Sequence, residues 1–303
     1  ILGSTGSIGK TSLYIFKKNL KKFEIILLSA NSNYSNICRQ IKIFKPKYFI
    51  VTNTNVFKKT KKKFLNKKTK ILNSFNDLEY NKIKFDITIS SIVGIAGLSP
   101  TIKFINISKK VLIANKESII CGWHLISRLS KKNKTKIIPI DSEHFSISKL
   151  TKNVRDHEVE KIYLTASGGP FLNKPLKSFK SIKVNDAIKH PKWKMGKKIS
   201  IDSSNLMNKV LELIEASRLF PFNIAKYEII IHPQSLIHAI VVFKNGLTKF
   251  LYHETDMKIP ITNAIFENDF DSKNFIYSRK DLLKKFENLN FLKVDKKRFP
   301  IVT

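Results

Sequence analysis

The stretch ILGSTGSIGK, residues 1–10, decides the fold of the first part of the chain. Gly3, Gly6 and Gly9 recur at every third position between an apolar start and a helical pattern. Glycines in a strand-to-helix turn allow backbone N–H groups and the helix N-terminus to approach a phosphate. The spacing favours a loop of the kind that binds a dinucleotide.

Two other interpretations of this loop remain open from the sequence. Gly9-Lys10-Thr11 ends like a P-loop, but that pattern requires glycine five residues before Gly9, where the chain has Ser4. A tight turn without a ligand is the third interpretation. The next stretch, SANSN at 29–33, contains no acid to hold a ribose hydroxyl. The absence of an acid favours NADP over NAD.

Continuous apolar stretches alternate with helical patterns up to residue 141 and predict strands at 24–30, 48–53, 85–92, 110–115 and 135–141. Strands without apolar–polar alternation are buried on both faces, so we predict an α/β fold with a Rossmann-like, doubly wound parallel sheet. After residue 150 the pattern changes to strands at 161–167 and 227–235, a helix at 206–220 and a hairpin turning at Asn245-Gly246. These elements predict a second, mixed α/β domain.

Length and composition limit the classes of protein. The 303 residues allow two domains at about 150 residues each, and 42% hydrophobic residues provide a core. No apolar run approaches the roughly 18 residues of a membrane span, and two cysteines are typical of a reducing compartment. The net charge of +33 raises the alternative of nucleic-acid binding. We interpret the lysine run at 57–70 instead as a solvated helix.

Two acids follow the predicted strand at 135–141. On an extended segment Asp141 and Glu143 would point to one side, with Ser142 turned away. Carboxylates that close repel each other unless a cation or a proton lies between them. Because ligands bind at the carboxyl ends of parallel strands, we expect a Mg²⁺-type site here. An exposed turn with helix-capping acids is the alternative.

A second polar cluster surrounds the start of the helix at 206–220. Ser203 is expected just before this helix, and Asn208, Lys209 and Glu212 fall in its first turns. Hydroxyl, amide and ammonium groups at a helix N-terminus can hold a phosphate, and Glu212 can add a third metal ligand. The alternative is an amphipathic helix with an ordinary lysine–glutamate pair.

Three loops complete the candidate site. Ser167 begins Ser-Gly-Gly after a predicted strand, a sequence suited to a phosphate. HPKWKMG at 190–196 combines His190, Trp193 and Gly196 in a polar loop, which is typical of a lid. A surface loop docked on its own core is the alternative. Lys116 and Glu117 follow another parallel strand.

The ordered set GSTGSIG, ANKES, DSEH, SGGPF, HPKWKMG, MNK-LE-IEA and IHPQS-IH resembles the 1-deoxy-D-xylulose 5-phosphate reductoisomerase family over nearly the whole chain. The resemblance implies NADPH- and metal-dependent rearrangement and reduction of that sugar phosphate to 2-C-methyl-D-erythritol 4-phosphate, in non-mevalonate isoprenoid biosynthesis. It implies Mg²⁺ or Mn²⁺, with Co²⁺ as a further option, and a homodimer. We expect no specific nucleic-acid partner and no membrane association. We expect a bacterial cytoplasmic location, with the plastid stroma as an alternative.

The resemblance also implies roles for individual residues. It gives metal ligation to Asp141, Glu143 and Glu212. Catalysis is assigned to Lys116, Glu143 and His190. Substrate contacts, including those of the phosphate, are Lys116, Ser142, Glu143, Ser167, His190, Trp193, Ser203, Asn208, Lys209 and Glu212. Cofactor contacts are Gly3, Thr5, Gly6, Ser7, Ile8, Asn33, Asn115, Glu117 and Gly196.

The family pattern implies an NADPH-binding domain at 1–141, a catalytic domain at 142–266, and at 267–303 a linker and the start of a C-terminal helical domain. We expect the chain to lack that domain and the first residues of the family. The family often has glycine and a basic residue where this chain has Asn31 and Ser32. An NADP-dependent sugar-phosphate dehydrogenase without an isomerase step, a P-loop hydrolase and a basic nucleic-acid-binding protein are the rival functions.

Overall fold

The computed structural model describes residues 1–189, 196–267 and 288–302. The chain divides into two compact units. The first contains residues 1–140 and the described residues 260–267. The second contains residues 141–259 and the described residues 288–302. Of the lid predicted at 190–196, residues 190–195, which include His190 and Trp193, lie outside the described residues.

The first unit alternates strands and helices. Its strands are β1 Leu27–Ala30, β2 Tyr48–Val51, β3 Lys70–Leu72, β4 Phe85–Ser90, β5 Ser108–Ile113 and β6 Lys136–Pro139. Its helices are α1 Ser7–Lys18, α2 Tyr34–Phe44, α3 Thr54–Lys63, α4 Leu98–Ile105 and α5 Lys116–Asn133. The strands form two parallel three-stranded sheets, in the orders β1-β2-β3 and β4-β5-β6.

The N-terminal segment connects these two sheets. The backbone N–H of Leu2 donates to Ile89 O at 2.8 Å, and Ser91 N donates to Leu2 O at 3.0 Å. On the other side Ser29 N donates to Ile1 O at 3.0 Å. Strands β1, β2 and β3 therefore follow one another outward on one side of this segment, and β4, β5 and β6 follow one another outward on the other side. This is the topology of a doubly wound sheet with its switch point at the glycine loop.

The strands are buried because helices cover both faces of a parallel sheet. Phe49, Ile50 and Val51 of β2 are each 0% exposed, and burial of such side chains contributes about 1.5–3 kcal/mol each. Helix α2 ends at Lys45 in the left-handed conformation. The sequence prediction of the fold class is confirmed.

The second unit is a mixed sheet covered by helices. Its elements are α6 Ser142–Leu150, β7 Val159–Ala166, α7 Val184–Ala187, α8 Lys197–Ser204, α9 Met207–Leu219, β8 Tyr227–Ile231, β9 Ile237–Phe243, β10 Thr248–Tyr252 and β11 Leu292–Lys293. The strand order is β10-β9-β7-β8-β11. Strand β7 runs parallel to β8 and antiparallel to β9. The β9–β10 hairpin turns at Gly246, whose φ of 86° suits glycine.

Helix α10, Lys258–Phe266, begins in the second unit and passes at Pro260 into the first. There the Lys110 ammonium donates to Ile265 O at 2.7 Å. Across residues 1–189, 196–267 and 288–302, no helix is long and apolar enough to cross a membrane.

Two local predictions were wrong. The lysine run at 57–70 is not one helix: α3 ends at Lys63, and the chain turns at Phe64 into β3. Phe64 is 5% exposed within a core that includes Phe49 and Ile71, so its burial ends the helix. Helix α8, Lys197–Ser204, was missed by the prediction; Ser203 lies in it, and it ends just before α9.

Candidate active site

The glycine loop in the first unit is built on close backbone packing. Gly3 has φ of 82°, and a Cβ there would lie 2.7 Å from Ser91 O. A Cβ on Gly9 would overlap Gly3 O and the Ser4 backbone. Only glycine permits this strand-to-helix approach. Gly6, the residue before α1, has no side chain to occupy the N–H groups of the helix's first turn.

Ser4 disfavours the P-loop interpretation. Its side chain is fully buried, and its hydroxyl donates to Gln40 Oε1 at 2.7 Å. Gln40 Nε2 in turn donates to Ser4 O at 2.9 Å. The residue is therefore part of the core and does not line a phosphate loop.

Other predicted cofactor residues follow strands of the same parallel sheet. Asn33 comes after β1 and caps α2, accepting from Asn36 N at 3.2 Å. Asn115 comes after β5 and caps α5, accepting from Ser118 N at 2.8 Å. Lys116 is buried directly behind it. The carboxyl ends of parallel strands share one sheet edge, so Asn33, Asn115 and the glycine loop lie on the edge where nucleotides bind in such folds.

In the second unit the structure brings together three carboxylates. One oxygen from each of Asp141, Glu143 and Glu212 lies within 4.8 Å of the others. The Lys209 ammonium contacts Glu143 Oε1 closely and lies 2.6 Å from Glu212 Oε2. Asn208 Nδ2 donates to Glu212 Oε1.

The local conformation differs from the predicted extended segment. Asp141 is extended, with φ of −61° and ψ of 139°, but Ser142 already begins α6. Phe145 N donates to Asp141 O at 2.8 Å, which closes the first turn and brings Glu143 beside Asp141. Ser142 is not turned away, because its hydroxyl donates to Glu143 Oε2 at 2.5 Å. Glu143 is 7% exposed, which is inconsistent with a capping acid in an exposed turn.

Burial and like charge control the protonation of this cluster. Burial, followed by the negative charge of Glu212, raises the pKa of Glu143 to about 8, although Lys209 acts in the opposite direction. Burial acts to lower the pKa of the Lys209 ammonium, but the charges of Glu143 and Glu212 more than offset it, so this pKa is raised. Lys209 thus stays charged. The Lys209–Glu212 ion pair is buried, unlike an ordinary surface ion pair.

The charges fit a divalent cation. One ammonium between three carboxylates leaves two negative charges when all three acids are ionised. Hard oxygen donors at this spacing are the ligands that Mg²⁺ and Mn²⁺ prefer. The donor set therefore suits such an ion by both charge and chemistry.

Two further residues adjoin the cluster and were not singled out from the sequence. Asp141, His144 and Glu215 also offer atoms within 4.8 Å of one another. His144 is fully buried and its Nε2 donates to Glu212 O at 2.8 Å. Their signal was present, since His144 follows Glu143 and Glu215 lies three residues after Glu212 on α9.

The predicted phosphate residues surround the start of α9. Ser167 follows β7, and its hydroxyl accepts from Gly169 N at 3.1 Å. A Cβ on Gly169 would lie 2.7 Å from Ser203 O, so the Ser-Gly-Gly loop is closely packed on α8. Asn208 and Lys209 lie in the first turn of α9. Gly196 precedes α8 and is exposed.

Comparisons with known proteins agree over almost the whole chain. Residues 1–122 match the family described as 1-deoxy-D-xylulose 5-phosphate reductoisomerase, and residues 137–220 match the C-terminal domain of that enzyme. The reductoisomerase of Pelagibacter ubique (strain HTCC1062) is 50% identical over 100% of this chain and 78% of its own length. That of Wolbachia pipientis wMel is 42% identical over 99% of this chain and 76% of its own.

Solved structures give the same result. A reductoisomerase in complex with NADPH, fosmidomycin and magnesium has a TM-score of 0.90 at 32% identity, covering 99% of this chain and 76% of that one. The enzyme from Zymomonas mobilis in complex with NADPH has a TM-score of 0.87 at 31% identity, covering 99% and 78%.

A doubly wound nucleotide-binding sheet combined with a buried site for a divalent cation defines a metal-dependent oxidoreductase that uses a nicotinamide dinucleotide. The relatives make the assignment specific. The chain belongs to the 1-deoxy-D-xylulose 5-phosphate reductoisomerase family.

Proposed function

We propose that this protein rearranges 1-deoxy-D-xylulose 5-phosphate and reduces the product with NADPH to 2-C-methyl-D-erythritol 4-phosphate, with a divalent cation. The observation that carries the proposal is the convergence of Asp141, Glu143 and Glu212 around Lys209 in a chain that belongs to this family. A simple dehydrogenase acting on a sugar phosphate would not need three converging carboxylates.

Asp141, Glu143 and Glu212 would hold the cation. When bound, it supplies Lewis-acid polarisation of the substrate carbonyl and stabilises the negative charge that develops on oxygen. Ser142, whose hydroxyl donates to Glu143, fixes the orientation of that carboxylate. Asn208 does the same for Glu212.

The chain's own polar residues hold the substrate. Ser167, Ser203, Asn208 and Lys209 are proposed to bind the phosphate, since hydroxyl, amide and ammonium donors at the start of α9 suit a dianion. Lys116 and His190 are proposed to contact the reacting sugar, and the segment 190–196 with Trp193 to cover it.

The first unit would bind NADPH, which supplies the hydride. The proposed NADPH contacts are Gly3, Thr5, Gly6, Ser7, Ile8, Asn33, Asn115, Glu117 and Gly196. The glycine loop and the two asparagine caps support this assignment because they follow strands of one parallel sheet. We accordingly propose that residues 1–141 bind NADPH and that residues 142–266 carry out catalysis, with residues 260–266 packed in the first unit. The described residues 288–302 pack with the second unit.

We also propose a homodimer in the cytoplasm. Strand β10 ends the described sheet of the second unit, and Phe250 on this strand is 51% exposed. An edge strand with an exposed aromatic side chain is suited to pairing with a second copy. Cys38 and Cys121 are free thiols, as expected in a reducing compartment.

The decisive assay is NADPH oxidation with 1-deoxy-D-xylulose 5-phosphate, with and without Mn²⁺. Turnover should require both the sugar phosphate and the cation, and a chelator should abolish it. NADPH oxidation that persists after metal removal, or that occurs without formation of a rearranged product, would identify a simple dehydrogenase.

The ligand set has its own test. Mn²⁺ held by Asp141, Glu143 and Glu212 has oxygen ligands only, whereas a site at Asp141, His144 and Glu215 would include an imidazole nitrogen. Electron-spin-echo spectra of bound Mn²⁺ in the substrate-free protein should therefore lack nitrogen modulation. Strong nitrogen modulation, lost in His144→Gln, would move the ion to the second set.

A further inference from the structure

The segment 288–302 is docked on the second unit through its strand and the residues just before it. Strand β11 pairs with the edge of β8, with Leu292 opposite Ile231. The Phe291 ring stacks on the His232 ring at 4.7 Å between centroids. No residue of this segment was predicted to belong to the site, yet Arg298 and Phe299 contact the loop after β7 and the residue before α9.

Arg298 holds the far side of the Ser-Gly-Gly loop. Its Nη1 donates to Phe171 O at 2.7 Å and to Lys174 O at 2.5 Å. The guanidinium also lies 5.5 Å from the Phe179 ring centre, and the side chain is 15% exposed. A planar guanidinium with several fixed donors can bond two carbonyls at once, which joins both ends of the turn at 171–174.

That turn determines where Ser167 and its neighbours lie. Gly168 and Gly169 have φ of 83° and 66°, so the loop bends sharply after β7. Gly169 lies directly against Ser203 O. A shift of the turn at 171–174 would move Gly169 along α8 and change the spacing between the Ser167 and Ser203 hydroxyls.

Phe299 supports the other side of the phosphate site. It is 1% exposed and packs with Ala166, the last residue of β7, and with Leu206. Leu206 has φ of 66°, an unfavourable conformation for leucine, and directly precedes α9. Burial in this cluster holds Leu206 in place and so fixes the first turn of α9, with Asn208 and Lys209.

We propose that Arg298 is a positioning residue for the substrate phosphate: by clamping the turn at 171–174 it sets the Ser167 loop against α8. Phe299 acts beside it by fixing the start of α9. The inference rests on the proposed function, because it takes the phosphate to bind between this loop and α9. Arg298 itself does not need to touch the substrate.

The test replaces Arg298 by methionine, which keeps the length of the side chain and removes both hydrogen bonds. A displaced Ser167 loop would lose hydrogen bonds to the substrate phosphate and so weaken its binding. We therefore expect KM for the sugar phosphate and the inhibition constant of inorganic phosphate to rise about 10- to 100-fold. KM for NADPH should stay unchanged. Arg298→Lys, which can bond one carbonyl, should give an intermediate effect.

Arg155→Met is the matched control. Arg155 belongs to the same unit but is 75% exposed, and its Nε pairs with nearby Glu158 at 3.3 Å, so its loss should change none of these constants. Thermal unfolding of each variant separates folding from positioning. If Arg298→Met does not fold, Arg298→Lys carries the test.

The possible outcomes are distinct. The positioning role is overturned if the wild-type chain turns over the sugar phosphate and Arg298→Met or Arg298→Lys lowers only kcat. It is also overturned if either variant leaves the phosphate constants unchanged. A wild-type chain that does not turn over the sugar phosphate in the presence of Mn²⁺ overturns the proposed function instead.

Discussion

At the scale of single residues, Lys209 has two competing sets of partners. In the structure its ammonium bridges Glu143 and Glu212, two of the three carboxylates proposed to bind the divalent cation. In the proposed function the same ammonium binds the substrate phosphate, so metal binding and the ammonium compete for the carboxylates. A phosphate that attracts Lys209 would strengthen metal binding, and by reciprocity the metal would strengthen phosphate binding.

This competition predicts that Lys209→Met binds Mn²⁺ more tightly than the wild type when no substrate is present. Removal of one positive charge within about 4 Å changes the interaction by roughly 1–4 kcal/mol, so the dissociation constant should fall at least about fivefold. The electron paramagnetic resonance signal of free Mn²⁺ measures it. Lys198→Met, which removes a lysine that pairs with Asp202 at 2.7 Å, is the control. Equal or weaker binding by Lys209→Met would contradict the competition.

The raised pKa of Glu143 predicts a pH dependence of metal binding. Burial and Glu212 raise this pKa to about 8, so below that pH a proton must leave before Glu143 can ligate an ion. Mn²⁺ affinity should rise roughly tenfold per pH unit from about 6 to 8 and then level off. Titrations at several pH values measure this, and Glu143→Gln should bind weakly with a flatter profile. A constant affinity in the wild type would contradict the raised pKa.

The same pKa determines the direction of a stability change. In the unfolded chain Glu143 has the ordinary glutamate pKa of about 4.5, whereas burial in the folded protein raises this pKa to about 8. In this window the folded state binds more protons. The contribution of Glu143 to the free energy of unfolding of the metal-free protein therefore falls as pH rises from about 4.5 to 8 and is constant above that range.

Residue types indicated part of the site before the structure was known. Asp141, Glu143 and Glu212 stand out because acids are scarce in so basic a chain, and the structure brings them together. Arg298 carries no such signal, because one arginine among 56 basic residues is conspicuous only when its carbonyl partners are known. Contacts to backbone atoms are invisible in a sequence.

At the scale of elements, the glycine loop shows how a local pattern determines tertiary packing. The spacing of three predicted the turn between strand and helix, and each glycine proved to have a different task. Gly3 needs a positive φ, whereas Gly9 needs close contact with the preceding strand. Helix α8 could not be predicted, because its sequence KKISIDSS has little apolar periodicity and follows the segment 190–195.

The contact at Gly9 predicts that Gly9→Ala destabilises the first unit. A Cβ would overlap the backbone of Gly3 and Ser4, which cannot move without shifting the central segment of the sheet. Overpacking of this kind costs about 1–3 kcal/mol in the free energy of unfolding, and NADPH affinity should fall with it. Urea denaturation gives the cost. Gly196→Ala is the control for stability, because no atom of the described residues beyond its chain neighbours lies within 4 Å of a Cβ there. Equal stability of the two variants would contradict the close packing.

At the scale of the whole molecule, the charge of +33 needs an explanation that the active site does not supply. The lysines of α3, of the turn after it and of the first position of β3 are all exposed, and none belongs to the candidate site. They are Lys58, Lys59, Lys61, Lys62, Lys63, Lys67, Lys68 and Lys70. Composition alone could not distinguish a solvated face from a polyanion-binding surface. The structure shows that Phe64 anchors this basic segment to the core while its lysines face solvent.

This arrangement predicts that any binding to DNA is unspecific and depends on bulk charge. Binding that neutralises 6–10 phosphates weakens about 10³- to 10⁵-fold between roughly 50 and 200 mM salt, so a gel shift seen at low salt should disappear at 200 mM for every duplex sequence. Replacing Lys58, Lys59, Lys61 and Lys62 by glutamine should weaken the low-salt shift and leave the kinetics with the sugar phosphate unchanged. Binding that survives 200 mM salt, or that prefers one sequence, would instead require a dedicated nucleic-acid surface, because bulk electrostatic attraction provides neither property.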